Sequence, residues 1–343
     1  MRYIVLTLAC IGGLFTVFVS QPTVADTGNN DKPVYDATLT QFDYPFSVEY
    51  FTFDSQQQSL DMAYMLLEGN NQKPPILLLH GKNFSGAYWE TTARWLHERG
   101  YTVIIPDQIG FGKSSKPVHY QFTFSGLADN TKRLLNHLNI NKVMVVGHSM
   151  GGMLASRFAL NYPSASEKLI LINPIGLENY LAHVHYKPIE FFYQKELAAK
   201  PDSVKQYQQK NYYDGKWADR YQPWVDMQAG WINGPDWERV AWNNALTYDM
   251  VFTQPVITEF DRLQTPTALI IGTRDTTGPG RGWQRQDSDY QLGQYDQLGK
   301  IAADKLPNAK LYELSDLGHL PQIEDFERFI DVFEQSIMNI EKP

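Results

Sequence analysis

Five short, uninterrupted apolar runs limit what this 343-residue chain can fold into: Ile76–Leu79, Val103–Ile105, Val143–Val146, Leu169–Ile172 and Ala268–Ile271. Each is too short for a helix and too uniformly apolar for a strand with one wet face. Each therefore predicts a strand covered on both sides, the condition of a parallel sheet. Between the runs the periodicity changes. Leu127, Thr131, Leu134, Leu135 and Leu138 share one helical stripe, and Met150 to Leu160 is helical in composition until Asn161-Tyr162-Pro163 stops it. Strands alternating with helices predict an α/β fold, a doubly wound, mostly parallel sheet with right-handed crossovers. Phe46 to Phe53 and Leu60 to Leu67 read as a paired opening hairpin, Leu311 to Leu314 as a late strand, and Ile323 to Ile340 as a closing helix.

The alternation fails between Leu177 and Arg262, where Trp217, Trp224, Trp231, Trp237 and Trp242 sit in helix-like patches broken by Pro and Gly. This stretch reads as an inserted helical cap whose aromatics chiefly form its own small core, with a minority facing a pocket. The resulting plan has a core of residues 43–176 and 263–343, a cap at 177–262, a polar N-terminal tail at 26–42 and a leader at 1–25.

The leader has Arg2 before an apolar run from Tyr3 to Val19, then Thr23-Val24-Ala25, a small-residue cleavage pattern. The run is shorter than the roughly 20 residues that span a bilayer, so a secretory signal peptide cleaved near Ala25 is expected, and with it export to the periplasm or medium. Nothing in the remainder reads as membrane-spanning. Cys10, the only cysteine, lies in the leader, which leaves the mature chain without disulfides, thiol nucleophiles or zinc-thiolate sites. Thirty Lys+Arg against 38 Asp+Glu give a net charge of -8, the wrong sign for gripping phosphate backbones, so no nucleic-acid partner is expected.

The run Val143–Val146 leads directly into Gly147-His148-Ser149-Met150-Gly151-Gly152 and then a helical pattern. Strand, Gly-x-Ser-x-Gly and helix together form a nucleophile elbow, in which a strained turn lifts a serine hydroxyl clear of the sheet; an ordinary Gly-rich turn explains the glycines alone. A serine needs a base to take its proton, and the base needs an acid to orient it, here expected in the order Ser, Asp, His. Asp275 follows the run Ala268–Ile271 through Gly272-Thr273-Arg274, with Asp316 and Asp249 as rivals. His319 follows Leu311–Leu314 through Ser315-Asp316-Leu317-Gly318, and no later histidine competes with it. The oxyanion that forms on a substrate carbonyl needs backbone donors. Met150 at the helix start supplies one amide and Lys82 in the loop His80-Gly81-Lys82-Asn83-Phe84 the other, with Asn83 as the alternative. The side chain of Lys82 then bears on substrate shape and charge, and His80-Gly81 holds the loop in shape.

These pieces, with Asp107-Gln108-Ile109-Gly110-Phe111-Gly112-Lys113-Ser114, resemble the α/β-hydrolase superfamily in its branch with a helical cap after the sixth strand. The resemblance implies an esterase-like serine hydrolase acting on a small acyl substrate without a cofactor. It also implies a structural role for the Asp107 to Ser114 turn. Relatives that use an aspartate nucleophile, epoxide hydrolases and haloalkane dehalogenases, differ from this chain at Ser149. The short loop at Lys82-Asn83-Phe84 departs from the extended Gly-rich loop of many lipases. The family's alternative acid position after the sixth strand holds Asn173, which favours Asp275.

Readings that stay open are a lactonase, an amidase or proline iminopeptidase, and a carbon-carbon bond hydrolase on the same triad, or a ligand sensor that keeps the fold and turns over negligibly. Oligomeric state is not readable. The loop Gly278 to Gln286 is longer than the position needs, so Arg281, Trp283 and Arg285 are candidates for substrate contact, against a plain surface excursion. His183 and His185 have no identifiable carboxylate partner, and no metal site is expected.

Overall fold

The computed structural model describes residues 32–70 and 72–338. The proposed leader and its cleavage pattern lie outside the described residues. Eight strands form one sheet in the order β1-β2-β4-β3-β5-β6-β7-β8. They are β1 Val48–Ser55, β2 Gln58–Leu67, β3 Ile76–Leu79, β4 Val103–Pro106, β5 Val143–His148, β6 Ser166–Ile172, β7 Thr267–Gly272 and β8 Ala309–Leu314. β1 pairs antiparallel with β2, and β2 antiparallel with β4; every other pairing is parallel.

The continuous apolar runs are explained by the period of two in a strand. Leu77, Val145, Leu169, Leu171, Leu269 and Ile271 face one core, while Ile76, Leu78, Val146, Ile170, Ile172 and Ile270 face the other. Helices α2 (Phe124–His137), α3 (Met150–Asn161) and α8 (Tyr295–Lys305) pack on the first side, and α1 (Glu90–Glu98) and α10 (Phe326–Met338) on the second. Each fully buried aliphatic side chain contributes about 1.5–3 kcal/mol, so each helix layer supplies a large share of the sheet's stabilisation.

Two expectations change. The closing helix expected from Ile323 is interrupted at Asp325, leaving one turn, α9 (Pro321–Glu324), before α10. Asp325 has φ −146° and ψ 88°, and its Oδ1 accepts from Arg328 N at 3.2 Å, so it acts as an N-cap rather than a helix interior residue. The loop expected at Gly278 to Gln286 extends further, through Gln294, before α8 begins at Tyr295.

The stretch between β6 and β7 carries four helices, α4 (Ile189–Leu197), α5 (Pro201–Asn211), α6 (Gln222–Asn233) and α7 (Trp237–Thr253). Here α4 packs on α7 and α5 on α6. Their tryptophans divide: Trp217 packs on Tyr213 and Tyr221, Trp224 on Tyr88, and Trp242 donates its indole N–H to Val118 O at 2.9 Å. Trp231 and Trp237 reach the cavity above the sheet. No helix among the described residues is long and apolar enough to cross a membrane.

Candidate active site

Parallel strands end at the same edge of a sheet, so the loops after β3, β5, β6, β7 and β8 meet there. The loop after β5 is the elbow. Ser149 has φ 55° and ψ −121°, a state that costs about 1–3 kcal/mol and is tolerated only where the surroundings dictate it. The flanking glycines are required by close approach. A Cβ at Gly147 would lie 2.2 Å from Gly151 O, and one at Gly151 would lie 2.3 Å from Leu79 O.

The hydroxyl of Ser149 lies 2.9 Å from Nε2 of His319, whose Nδ1 lies 2.7 Å from Oδ2 of Asp275. All three residues are buried. Asp275 Oδ1 accepts from the Thr277 amide at 2.8 Å. Burial pushes the Asp275 carboxyl up, but the His319 ring and the hydrogen bonds from His319 and Thr277 outweigh it and hold the carboxyl below its usual range. The rivals lie elsewhere: Asp316 is exposed beside Arg274, and Asp249 sits on α7 against Thr253. The Asp275 and His319 loops are tied together by Glu324, which pairs with Arg274 and accepts from Gly318 N at 2.7 Å.

Four further residues surround this relay. Asn173, at the end of β6 with φ 36°, donates from Nδ2 to Asp275 Oδ2 at 2.9 Å and accepts from Gly272 N at 2.8 Å. His148 Nε2 lies 2.7 Å from the carbonyl oxygen of His319, and its Nδ1 lies 3.0 Å from the hydroxyl of Tyr88. Burial, then the His319 ring beside it, lowers the His148 pKa to about 3, so the ring is neutral and donates from Nε2 to that carbonyl. Tyr212 stacks on the His319 ring at 4.9 Å. Only a weak signal pointed to these: His148 lies inside the elbow motif, whereas Tyr88 and Tyr212 come from distant segments.

The loop after β3 is fixed from both sides. Gly81 N donates to Tyr88 Oη at 3.0 Å, and its carbonyl lies 2.9 Å from His80 Nδ1, whose Nε2 accepts from Gln108 N at 3.0 Å. A Cβ at Gly81 would lie 3.1 Å from Ser149 Cβ, so the loop lies against the elbow. Among the described residues, neither the Met150 amide nor the Lys82 amide has a hydrogen-bond acceptor, and the same is true of Asn83. The turn beneath is braced by Asp107, which accepts from Tyr44 Oη and Gly86 N, both at 2.6 Å, and from Lys113 N at 2.7 Å.

A cavity of about 380 Å³ opens over Ser149 and His319. Its cap side is aromatic, with Phe192, Tyr207, Trp231, Trp237 and Tyr248, and Lys82, Glu196 and Asn244 place polar groups within it. The long loop contributes Thr277 and Pro279. Of the two readings left open for Arg281, Trp283 and Arg285, substrate contact is not the one seen, since none of the three lines the cavity. The Arg281 guanidinium bonds Thr276 O and Leu292 O across its own loop, Trp283 packs among Phe191, Phe192 and Phe252, and Arg285 pairs with Asp287. His183 stacks on Tyr290 at 4.0 Å.

Residues 74–326 match the alpha/beta hydrolase fold family, and the chain belongs to that family. It is similar to a probable hydrolytic enzyme from Pseudomonas aeruginosa, with 48% identity, a TM-score of 0.86, and coverage of 89% of this chain and 98% of that one. A thermophilic esterase from Thermogutta terrifontis shares the fold, with a TM-score of 0.66 at 18% identity over 86% of this chain and 99% of that one. An uncharacterized protein of Mycobacterium tuberculosis is 38% identical over 104 residues, 30% of each chain. The chain thus spans 30% of the length of the first curated relatives it matches.

Proposed function

We propose that the protein is an exported serine hydrolase that cleaves a carboxylic ester or related small acyl compound through an acyl-enzyme. The observation that carries this reading is the continuous hydrogen-bonded relay from Ser149 through His319 to a buried, ionised Asp275, with Ser149 and His319 lining the cavity above it. His319 Nε2 takes the Ser149 proton as Oγ attacks the acyl carbonyl, and the amides of Met150 and Lys82 receive the oxyanion. The imidazolium returns that proton to the departing alcohol as the carbon–oxygen bond breaks. Water then enters, its oxygen bonds to the acyl carbon as His319 takes its proton, and the imidazolium returns that proton to Ser149 Oγ as the acyl–serine bond breaks, releasing the carboxylic acid. Asp275 stays ionised throughout and fixes the Nδ1–H tautomer of His319. The same groups serve lactones and amides, so leaving-group preference is decided by the cavity.

The fold of the esterase neighbour and the hydrolytic relative support a hydrolase, and a serine at the elbow argues against the aspartate-nucleophile branch. The test is multiple-turnover hydrolysis of p-nitrophenyl esters of graded acyl length, beside Ser149→Ala. Turnover that disappears in the variant, with wild-type protein labelled at Ser149 by a fluorophosphonate, is the expected result. Equal inertness of both proteins, with no labelling, overturns it. Export is tested by the mass of the protein recovered outside the cytoplasm, expected to begin after Ala25.

A further inference from the structure

The cavity holds a charged pair that the relay does not use. Lys82 Nζ is buried, donates to Asn83 Oδ1 at 3.0 Å, and lies 4.9 Å from the centre of the Tyr248 ring. Its nearest carboxylate oxygen, Glu196 Oε1, is 3.9 Å away, beyond hydrogen-bond reach, while the other Glu196 oxygen accepts from Asn244 Nδ2 at 3.3 Å. An ammonium carries three donors, and only one of these is spent at full strength among the described residues. Leaving a desolvated cation so poorly bonded is unfavourable, and burial correspondingly lowers the Lys82 pKa to about 8 despite Glu196. Lys82, Asn83, Glu196 and Tyr248 all line the same cavity as Ser149 and His319, so whatever fills that cavity meets these groups.

Spare donors on Lys82 face an acceptor on Glu196 across a gap too long to close directly. The pair is neutral as a whole, and the ammonium of Lys195, which also lines the cavity, lies over the Trp283 ring at 5.1 Å; at the pair itself a carboxylate would meet Glu196 and an ammonium would meet Lys82. The geometry points to a substrate whose chain carries a neutral group that both accepts and donates a hydrogen bond, a hydroxyl or an amide N–H with its carbonyl, seated between Lys82 and Glu196. This inference rests on the proposed hydrolysis at Ser149 and adds the substrate class, a polar-substituted ester among apolar cap residues.

The test compares p-nitrophenyl hexanoate with its derivatives bearing a hydroxyl at successive carbons, an amide-bearing analogue of equal length, and the adipate half-ester. The readout is the ratio of kcat/KM for polar over plain ester, because the Lys82 backbone also serves the oxyanion and absolute rates will move. Wild-type protein is expected to favour one hydroxylated or amide-bearing derivative at least tenfold. That preference should vanish in Lys82→Met, in Glu196→Leu and in the double variant, which leaves neither charge unpaired and guards against misfolding of the singles. Ratios unchanged by the substitutions would make the pair a tether between cap and loop and overturn the proposal. A preference for the half-ester that rises in Glu196→Leu would overturn it in favour of anion binding. If the wild type turns over no ester, the hydrolytic reading fails separately. Calorimetric titration of Ser149→Ala with the same neutral compounds then decides the pair, supporting it if hydroxylated members bind at least tenfold tighter and refuting it if they do not.

Discussion

Replacing Asn173 with aspartate turns an amide that donates to Asp275 into a second carboxyl at the same place, and so tests whether Asp275 is ionised in the folded protein. Asn173 is fully buried, and its Nδ2 lies 2.9 Å from Asp275 Oδ2. Two full charges at that separation repel by about 6 kcal/mol with an effective dielectric constant near 20. The pair therefore keeps one proton over a range in which both carboxyls of the unfolded chain have lost theirs. The sign follows from linkage: the folded variant binds more protons than the unfolded one, so its stability falls as pH rises above the ordinary carboxylate range of about 4. At low pH the protonated carboxyl still donates to Asp275 as the amide did, and the cost relative to wild type is small. As pH rises, the gap between wild type and variant should widen by about 3–6 kcal/mol, levelling off only when the shared proton is lost. Urea unfolding of both proteins at several pH values between about 4.5 and 8.5 measures this directly. Turnover should persist near neutrality, where the shared proton leaves His319 facing one net negative charge as in the wild type, and should fall at alkaline pH. A stability gap independent of pH across this window would mean that Asp275 is not ionised, and the roles derived for Asp275 and His319 would fail together.

Three further outcomes follow from specific contacts. Ser149→Gly should abolish turnover yet raise stability by about 1–3 kcal/mol, since glycine adopts φ 55° without strain; a loss of stability in thermal unfolding would contradict the strain argument. Tyr88→Phe removes the oxygen that accepts from Gly81 N at 3.0 Å and leaves that amide unpaired, costing about 1–3 kcal/mol of stability. It should also lower kcat more than it changes KM through a shifted Lys82 amide, and unchanged kinetics would detach Tyr88 from the site. Glu178 is buried, with one oxygen 3.1 Å from Gly293 N, and burial raises its pKa to about 7. The raised carboxyl costs stability as pH climbs from its unfolded value of about 4.3 to 7, so Glu178→Gln should become the more stable protein by about 3 kcal/mol across that window, read from unfolding midpoints; equal pH dependence would refute the burial argument.

Much of the architecture could be read from the chain because burial on both faces removes the need for alternation, and the five apolar runs follow directly from that. Ser149, Asp275 and His319 could be named for a related reason. Ser149 and Asp275 each stand a few residues past such a run and His319 a few past β8, and parallel strands deliver those positions to one edge. The break at Asp325 was harder to see, because a capping carboxylate inside an amphipathic pattern resembles any other exposed helical residue. Asn173 was visible only as a position without a carboxylate. Its amide donates to Asp275 and accepts from Gly272, a function that depends on which strand is neighbour to which.

The cap marks where sequence reasoning stops, and the reason is physical. Strand burial is a property of short runs, whereas a cavity wall is assembled from single residues on several helices, each surrounded in sequence by residues that face elsewhere. Trp231 reaches the cavity while Trp224, about two turns earlier on the same helix α6, packs on Tyr88, and nothing local distinguishes them. Lys82 lies between these cases. It belongs to the loop after β3, which lies against the elbow at Gly81, but its side chain acquires meaning only through Glu196 on α4, more than a hundred residues away. A lysine at this position in a chain lacking that carboxylate would be an unpaired buried cation, and the two residues should therefore be tolerated as a pair or lost as a pair. Lys82→Met and Glu196→Leu are accordingly expected to be strongly non-additive in stability, with the double variant closer to wild type than either single change. Additive losses in urea unfolding would show that the two charges do not act on one another.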